Sequence, residues 1–316
     1  MKASPPADHD RMRSPSPRRW ATAACLLGLA AGVTGASAAP ASPAPRVAAD
    51  LGDQAGTATR PAPASGAARR TSRVRRPARG VGAWHVPHVR SALRQAGVGW
   101  FYNWDAGFDY RVPARVDYVP MIWGEAQLDA AHLARAVAHG PDLLTFNEPD
   151  HPQQANLTPQ RALDLWPTLE SSGLRLGSPA VAFGADQPGG WLDQFMSGAA
   201  QRGYRVDFVA VHWYGADFHA GQSVRALHDY LSAVHDRYGK RVWLTEFALM
   251  RFGPTTYAPQ RAQAAFAARA TRMLDRLPWL ERYAWFAMPA PTHGRSTGLV
   301  RPDGSVTAVG RAYAGS

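Results

Sequence analysis

Two glutamates stand at corresponding places on two apolar stretches of the chain. Glu148 comes just after Leu143–Phe146, and Glu246 lies near the end of Val242–Phe247, so each acid is placed on or beside a predicted buried strand. Pro149 ends the first of these strands, because proline has no N–H to give to a sheet. An acid on a core strand costs several kcal/mol unless it is solvated or partnered, so the two acids call for a joint explanation.

A pair of this kind is what glycoside hydrolysis requires. One carboxylic acid protonates the leaving oxygen, and one carboxylate attacks the sugar or activates water. The alternative is that each glutamate is a loop residue that caps a helix or forms a salt bridge, which is the commoner case for a single acid after a strand. The shared setting of the two acids, each next to Asn or Thr on an apolar strand, favours the catalytic interpretation.

Other kinds of site lack their sequence motifs. The chain has no H-E-x-x-H motif, no P-loop and no G-x-G-x-x-G sequence that opens a helix. Its one cysteine, Cys25, can form neither a disulfide within the chain nor a cysteine-based metal site. We therefore expect the site to use neither a metal ion nor an organic cofactor.

The positive charge of the chain is concentrated near its N-terminus. The net charge is +11; residues 1–79 hold thirteen Lys and Arg against four Asp and Glu, whereas residues 80–316 hold twenty-two against twenty. The basic character thus belongs to the tail, and it predicts no nucleic-acid-binding domain. The tail is interpreted as a solvated basic segment, with a weak affinity for anionic envelope polymers as the alternative.

The first 78 residues divide into a leader and a linker. Residues 1–38 have the pattern of a secretory signal peptide, because a small-residue apolar run ends in Ala36-Ser37-Ala38, an A-x-A cleavage pattern. Cleavage predicts a secreted or periplasmic protein without stable membrane insertion; an uncleaved anchor is the alternative, since the run is barely long enough to span a bilayer. Residues 39–78 are rich in Ala, Pro and Arg without an apolar period, which predicts a disordered linker.

Apolar runs alternate with helical patterns from residue 80 onward, which indicates βα units. One helical pattern begins at Ser223 and ends at Gly239, and another begins with the capping pair Thr158-Pro159. The candidate strands are Gly80–Trp84, Val98–Asn103, Val116–Trp123, Leu143–Phe146, Leu174–Val181, Asp207–Tyr214, Val242–Phe247 and Tyr283–Met288. Eight strands with interleaved helices predict that residues 79–316 form an α/β domain, a (β/α)8 TIM barrel.

Tryptophans recur at the ends of the candidate strands. They are Trp84, Trp104, Trp123, Trp213 and Trp285. Aromatic faces stack on the C–H faces of sugar rings, so one end of a barrel lined in this way suits a glycan. The alternative for each tryptophan is packing in the core.

Five motifs in order along the chain resemble those of a known family. They are Phe146–Asp150, Gln154–Pro159, Leu176–Ala180, Val206–Tyr214 and Trp243–Phe247. Together they resemble glycoside hydrolase family 128, whose members are secreted β-1,3-glucanases of a large retaining clan with (β/α)8 barrels. The resemblance covers the chain from about residue 80 to the C-terminus and leaves out the leader and the linker.

The resemblance implies roles for the two acids and their neighbour. Glu148 matches the acid/base of the family and Glu246 matches the nucleophile. Asn147 matches the residue that hydrogen-bonds the sugar hydroxyl next to the anomeric carbon. No metal site is implied.

The resemblance also implies roles on strands six and eight. Tyr214 or His212 would contact and orient the nucleophile, although His212 has the alternative of a satisfied core histidine. Trp285 would form the floor of the subsite where the bond breaks. Trp104 and Trp123, at other strand ends, are further candidates for binding sugar.

The sequence therefore predicts a retaining, endo-acting β-1,3-glucanase. Its partner would be a β-glucan polysaccharide or oligosaccharide, bound by a monomer, with no nucleic acid involved. One alternative is a hydrolase of the same clan that acts on another β-glycan. The other is a non-catalytic glycan-binding barrel, which would keep the tryptophans and lose an acid.

Overall fold

The structure, a computed structural model, describes residues 77–316. The predicted signal peptide and all but the last two residues of the predicted linker lie outside the described residues. Ala78, which the sequence assigned to the linker, is instead the first residue of a strand. Within residues 77–316, no helix combines the length and the apolar character that crossing a membrane requires.

The described chain alternates strands and helices. The strands are β1 (Ala78–Gly82), β2 (Trp100–Tyr102), β3 (Asp117–Tyr118), β4 (Met121–Ile122), β5 (Asp142–Asn147), β6 (Arg175–Ala180), β7 (Val209–Gly215), β8 (Val242–Arg251), β9 (Thr256–Tyr257) and β10 (Leu280–Phe286). The helices are α1 (Val89–Gln95), α2 (Ala130–Val137), α3 (Pro159–Glu170), α4 (Trp191–Gln201), α5 (Ala220–Tyr238), α6 (Gln260–Leu274) and α7 (Ala308–Ala314). The strands mostly pair in parallel, so the predicted α/β class is confirmed.

The strands form two sheets. One has the order β3-β2-β1-β10-β8-β7, and the other has the order β4-β5-β6. The predicted third strand, Val116–Trp123, is divided between them, because β3 and β4 are separated by Val119 and Pro120. At the other junction, Gly177 of β6 bridges in parallel to Phe208, which directly precedes β7.

The helix ends follow from local sequence. Thr158 caps α3, because its Oγ1 accepts the N–H of Arg161 at 3.1 Å, and Pro159 fills the first helical position. Helix α5 ends where predicted, at Gly239 with a φ of 61°. Its start differs, because Ala220 and not Ser223 opens the helix, and the Ser223 hydroxyl donates to the Asp217 carbonyl.

Successive side chains of a strand point to opposite faces, and the buried residues therefore form two separate cores. The larger core joins strand residues to the buried faces of the helices, for example Phe247 and Trp285 to Phe266 of α6. The smaller core contains only residues of the strands and their short links, and its centre is a stacked pair, Phe208 and Trp243, with ring centroids 4.0 Å apart. In strand β10, Tyr283 and Trp285 belong to the larger core, whereas Ala284 between them belongs to the smaller core.

An ionic cluster joins the two sheets at the amino ends of their strands. Asp142 of β5 is 3% exposed and binds Arg175 of β6 at 2.7 Å and Arg282 of β10 at 3.1 Å. Arg175 also binds Glu281 of β10 at 3.1 Å. Arg282 lies over the ring of Trp243, 4.7 Å from its centroid. Ion pairs thus link the two sheets at the amino ends of the strands. The two glutamates lie toward the carboxyl ends.

Candidate active site

The two glutamates reach the same place from opposite sheets. Glu148 directly follows β5, where its backbone N–H donates to the Ala180 carbonyl of β6 at 2.7 Å. Its φ of 44° is in the left-handed region, which is strained for a side chain other than glycine and is found most often at functional sites. Glu246 is the fifth of the ten residues of β8, because that strand continues to Arg251 beyond its predicted end. Both side chains are buried, with Glu148 8% and Glu246 4% exposed.

His212 of β7 lies between the two acids. Its Nδ1 is 3.0 Å from Oε1 of Glu148, and its Nε2 is 3.6 Å from Oε1 of Glu246. The side chain is fully buried. Burial lowers the pKa of the imidazole, but the negative charges of Glu246 and Glu148 outweigh it, so the pKa of His212 is raised. The predicted alternative of a satisfied core histidine fits only in part, because Nδ1 is hydrogen-bonded to Glu148 whereas Nε2 has no hydrogen-bond partner among the described residues.

Three further side chains donate hydrogen bonds to Glu246. Tyr214 donates its hydroxyl to Oε2, while Oε1 accepts from Nε1 of Trp104 at 2.8 Å and from the hydroxyl of Tyr102 at 3.1 Å. An indole N–H can only donate, so the oxygen that faces it must accept. The three donors therefore favour the ionised form of Glu246. The side chain of Glu148 has one hydrogen-bond partner among the described side chains, Nδ1 of His212.

The buried position of this network shifts the pKa of its members. Burial and the negative charge of Glu148 raise the pKa of Glu246. His212 and the hydrogen bonds from Tyr214 and Trp104 lower it. Burial and the charge of Glu246 also raise the pKa of Tyr102 and of Tyr214 well above the usual range. Both phenols therefore remain protonated donors.

Asn147 presents an unpaired acceptor beside Glu148. Its Nδ2 donates to Oε1 of Gln154 at 3.2 Å, which fixes the amide. Its Oδ1 is buried and has no hydrogen-bond partner among the described residues. A buried acceptor without a partner is costly, and a hydroxyl of a bound ligand would satisfy it.

Trp104 is held in the site by its backbone and by a glycine. Its φ of 60° turns the side chain back over β1, where a Cβ on Gly82 would come within 2.7 Å of the indole ring. The ring is flanked by Trp84 at 5.6 Å and Tyr102 at 4.8 Å between centroids. Trp123, just after β4, is half-buried and packs, as Trp104 does, against the smaller core.

The prediction that Trp285 forms the floor of a sugar subsite is wrong. Its side chain is fully buried in the larger core, 5.0 Å from Phe247 and 5.6 Å from Tyr313 between ring centroids, and its Nε1 donates to the Thr297 carbonyl at 2.7 Å. The next residue, Phe286, is half-buried and lies on the site's side of β10, 5.9 Å from Trp104. The prediction chose the wrong one of two adjacent residues, whose side chains point to opposite faces of the strand.

Comparison with known proteins fits this geometry. The family described as "Glycosyl hydrolase catalytic core" matches residues 82–313. A structure of an endo-β-1,3-glucanase of family 128, subgroup I, from Amycolatopsis mediterranei, in complex with laminarihexaose, is 47% identical, covers 76% of this chain and 99% of its own, and has a TM-score of 0.73. The chain belongs to glycoside hydrolase family 128.

Two other relatives widen the comparison. A curdlan-specific exo-β-1,3-glucanase of family 128, subgroup III, from Blastomyces gilchristii is 31% identical, covers 75% of this chain and 97% of its own, and has a TM-score of 0.60. Alkali-sensitive linkage protein 1 of Schizosaccharomyces pombe is 32% identical over 232 residues, which are 69% of this chain. The chain spans 40% of the length of that curated relative. Family 128 thus confirms the predicted glycoside hydrolase.

Sequence reasoning missed three residues of this family 128 site. Tyr102 is the last residue of β2 and lies two residues before Trp104, but no sequence motif marks it. Phe286 directly follows Trp285, the residue that the sequence predicted to contact the sugar. Gln154 lies in the second of the quoted motifs, but nothing in the sequence places its amide next to Asn147.

The two acids and His212 could also be taken for a metal site. One oxygen of each carboxylate and one nitrogen of His212 all lie within 4.8 Å of one another. The donor set fits hydrogen bonding better, because the oxygens of Glu246 already accept three donated protons, and a cation would face those positive ends.

Proposed function

We propose that the chain is a retaining glycoside hydrolase that cleaves β-1,3-glucan within its chains. The observation that carries the proposal is the closeness of Glu148 and Glu246, which have one oxygen each within 4.8 Å. Retaining pairs lie roughly 5–5.5 Å apart and inverting pairs about 6.5–9.5 Å. Oxygens this close support a retaining pair over an inverting one.

The donors around each acid support the division of roles. Glu246, which accepts three hydrogen bonds, would attack the anomeric carbon as the carboxylate while the proton of Glu148 passes to the leaving oxygen. The glycosyl ester on Glu246 would then be attacked by water, whose proton returns to Glu148. Asn147 would accept a hydrogen bond from the sugar hydroxyl next to the anomeric carbon, through its unpaired Oδ1.

The substrate is proposed from the relatives. The Amycolatopsis mediterranei glucanase is 47% identical and is covered over 99% of its length, and its structure contains laminarihexaose. Relatives of this family include both an endo- and an exo-glucanase, and the higher identity to the endo-acting one supports cleavage within chains.

A closed (β/α)8 barrel is part of the proposal. The bridge between Gly177 and Phe208 supports closure at one junction of the two sheets. At the other junction β3 and β4 are two residues apart in the same run of chain, and Asp142 ties β5 to β10 across the amino ends. Glu148 and Glu246 would then face each other across the carboxyl ends of the strands.

Export and a monomeric state complete the proposal. The A-x-A pattern at Ala36–Ala38 supports cleavage after Ala38 and a secreted or periplasmic product. N-terminal sequencing of the exported protein and its mass in solution test both points. A product that begins at Met1 and remains with membranes would favour the anchor.

The test of function follows the products of the purified protein. On laminarin the first reducing sugar detected by NMR should be the β-anomer, and β-1,4-glucan should release little. Glu246→Ala should abolish turnover, and azide should restore some cleavage with inversion, whereas Glu148→Ala should be rescued by azide with retention. An α-anomer as first product from the unaltered protein would contradict retention and the role of Glu246.

A further inference from the structure

A line of aromatic side chains crosses the site and continues beyond it. The ring centroids follow one another from Trp84 to Trp104 at 5.6 Å, to Phe286 at 5.9 Å, to Tyr214 at 5.5 Å, to Phe252 at 5.0 Å and to Phe183 at 6.0 Å. Trp104 and Tyr214, inside the line, are the two that also bind Glu246. The mechanism uses these two residues and leaves the ends of the line without a role.

The outer end of the line is exposed. Phe183 is 60% exposed, the most of the three exposed large apolar residues in the described part of the chain; the others are Trp84, at the other end of the line, and Val137. A single exposed apolar residue needs no explanation. Phe183 differs, because it extends a row of rings that leads to the reacting atoms.

The backbone around Phe183 is fixed. Asp150 accepts the N–H of Ala182 at 2.8 Å and the N–H of Phe183 at 3.4 Å. Gly184 has a φ of 69°, which a side chain would strain, and the hydroxyl of Tyr238 donates to the Ala185 carbonyl at 2.9 Å. The loop after β6 thus presents the ring of Phe183 outward in a defined place. A ring presented in this way is suited to a ligand that stacks on it.

The same contacts identify the side of the site. Asp150 is two residues beyond Glu148, so the loop that carries Phe183 is attached to the segment that carries the proton donor. A proton donor faces the leaving oxygen of the scissile bond, so the sugars of the leaving group extend on the side of Glu148. Trp84 follows β1 and contacts Trp104, which in turn contacts Phe286.

We propose that Phe183 and Phe252 form the platform for a glucosyl unit of the leaving group, one or more units beyond the cleaved bond. The two rings meet edge to face at an interplanar angle of 82°, so Phe252 supports Phe183, which keeps 60% of its surface exposed. The proposal rests on the proposed function. It makes the pair a determinant of where a chain is cut and not of the chemistry at Glu246.

The platform also acts after the first half of the reaction. Once the leaving group has departed, Phe183 and Phe252 would hold an incoming oligosaccharide in its place. The acceptor hydroxyl would attack the anomeric carbon, the bond from that carbon to Glu246 would break, and the hydroxyl proton would pass to Glu148. The product is a longer glucan in the same anomeric form.

The test compares Phe183→Ala with Phe183→Trp and the control Val137→Ala. Laminarihexaose is digested in water enriched in oxygen-18, and mass spectrometry of the labelled products gives the cleaved bonds. For Phe183→Ala the cuts should shift toward the reducing end and kcat/KM should fall about tenfold, the effect of a stacking contact near 1.4 kcal/mol. Phe183→Trp should restore the pattern, and Val137→Ala should match the unaltered protein in both readouts.

The acceptor reaction gives a second readout. With an activated aryl laminari-oligosaccharide as donor, Phe183→Ala should require a higher acceptor concentration for the same yield of longer product. An unchanged cleavage pattern and an unchanged acceptor requirement in a Phe183→Ala protein of normal melting temperature would overturn the proposal. Failure of the unaltered protein to cleave laminarihexaose would instead overturn the proposed function itself.

Discussion

Glu246 is buried, and yet the proposed mechanism requires it to be ionised. Burial raises its pKa above the usual range, and a histidine and hydrogen-bond donors aimed at both carboxylate oxygens counter this in part. One of these donors, Tyr214, contacts Oε2, whereas the others contact Oε1. Removing Tyr214 therefore isolates one contribution to the charge of Glu246.

Tyr214→Phe should move the acidic limb of kcat/KM to higher pH. Losing a donated hydrogen bond raises the pKa of Glu246 further, so the carboxylate is lost earlier as the pH falls. A hydrogen bond to a charged group is worth roughly 1.5–3 kcal/mol, which corresponds to a shift of about one pH unit or more. Tyr204→Phe, at a half-buried tyrosine before β7, is the control. A lower rate with an unmoved limb would mean that Tyr214 acts on the substrate alone.

Two tryptophans that the sequence treated alike should respond oppositely. Trp285 lies in the core, so Trp285→Ala should lower stability by about 3–5 kcal/mol, measured by denaturant unfolding. Trp104→Phe keeps the ring but loses the N–H bound to Glu246. It should retain nearly the full melting temperature while kcat/KM falls roughly 10–100-fold. Reversal of these two patterns would contradict the placement of both rings.

At the scale of the elements, the sequence predicted most of the strands and two of the helices but not how their residues face. Apolar runs and capping signals located most of the strands and helix α3 correctly. The facing direction of Trp285 and Phe286 depends on the register of β10 against β8, which shifts between Tyr283 and Trp285. Such a shift comes from packing and leaves no mark on local sequence.

Contacts that local sequence does not reveal also determine where β8 ends. The sequence stops the strand at Phe247, but Leu249–Arg251 stay extended because β9 pairs with β8 in an antiparallel hairpin. The amide of Gln263 on α6 also donates to the Leu249 carbonyl and accepts its N–H, at 2.8 and 2.9 Å. These contacts join residues from separate elements, so a local sequence pattern cannot predict them.

Gly82 shows how one strand makes room for the site on another. A Cβ at Gly82 of β1 would meet the Trp104 ring at 2.7 Å, whereas one at Gly99 would meet nothing nearer than the Arg79 carbonyl at 3.8 Å. Gly82→Ala should therefore displace the Trp104 ring and reduce kcat/KM by about tenfold or more, from the loss of one hydrogen bond to Glu246. Gly99→Ala should match the unaltered protein. Equal activity of the two variants would show that the Trp104 ring adapts without cost.

At the scale of the whole molecule, chemistry and stability are placed at opposite ends of the strands. The acids and aromatic rings gather around the carboxyl ends, and Asp142, Arg175, Glu281 and Arg282 join the two sheets at the amino ends. Burial raises the pKa of Asp142, and the two arginines counter it. The cluster therefore depends on every partner being present, because an unpaired buried charge is far more costly than the pair.

Asp142→Asn should destabilise the protein without altering the chemistry. It leaves Arg175 and Arg282 without their shared carboxylate, at a cost of about 3–5 kcal/mol for a broken buried pair. Asp164→Asn is the matched control, because the Asp164–Arg202 pair is surface-exposed, with a distance of 3.1 Å, and such pairs contribute roughly 0–1 kcal/mol. Denaturant unfolding should separate the two variants by about 2 kcal/mol or more, while both keep the pH profile of the unaltered enzyme below their melting temperatures. Similar stability of the two variants would mean that the sheets are held together by packing around Trp243 and not by the charges.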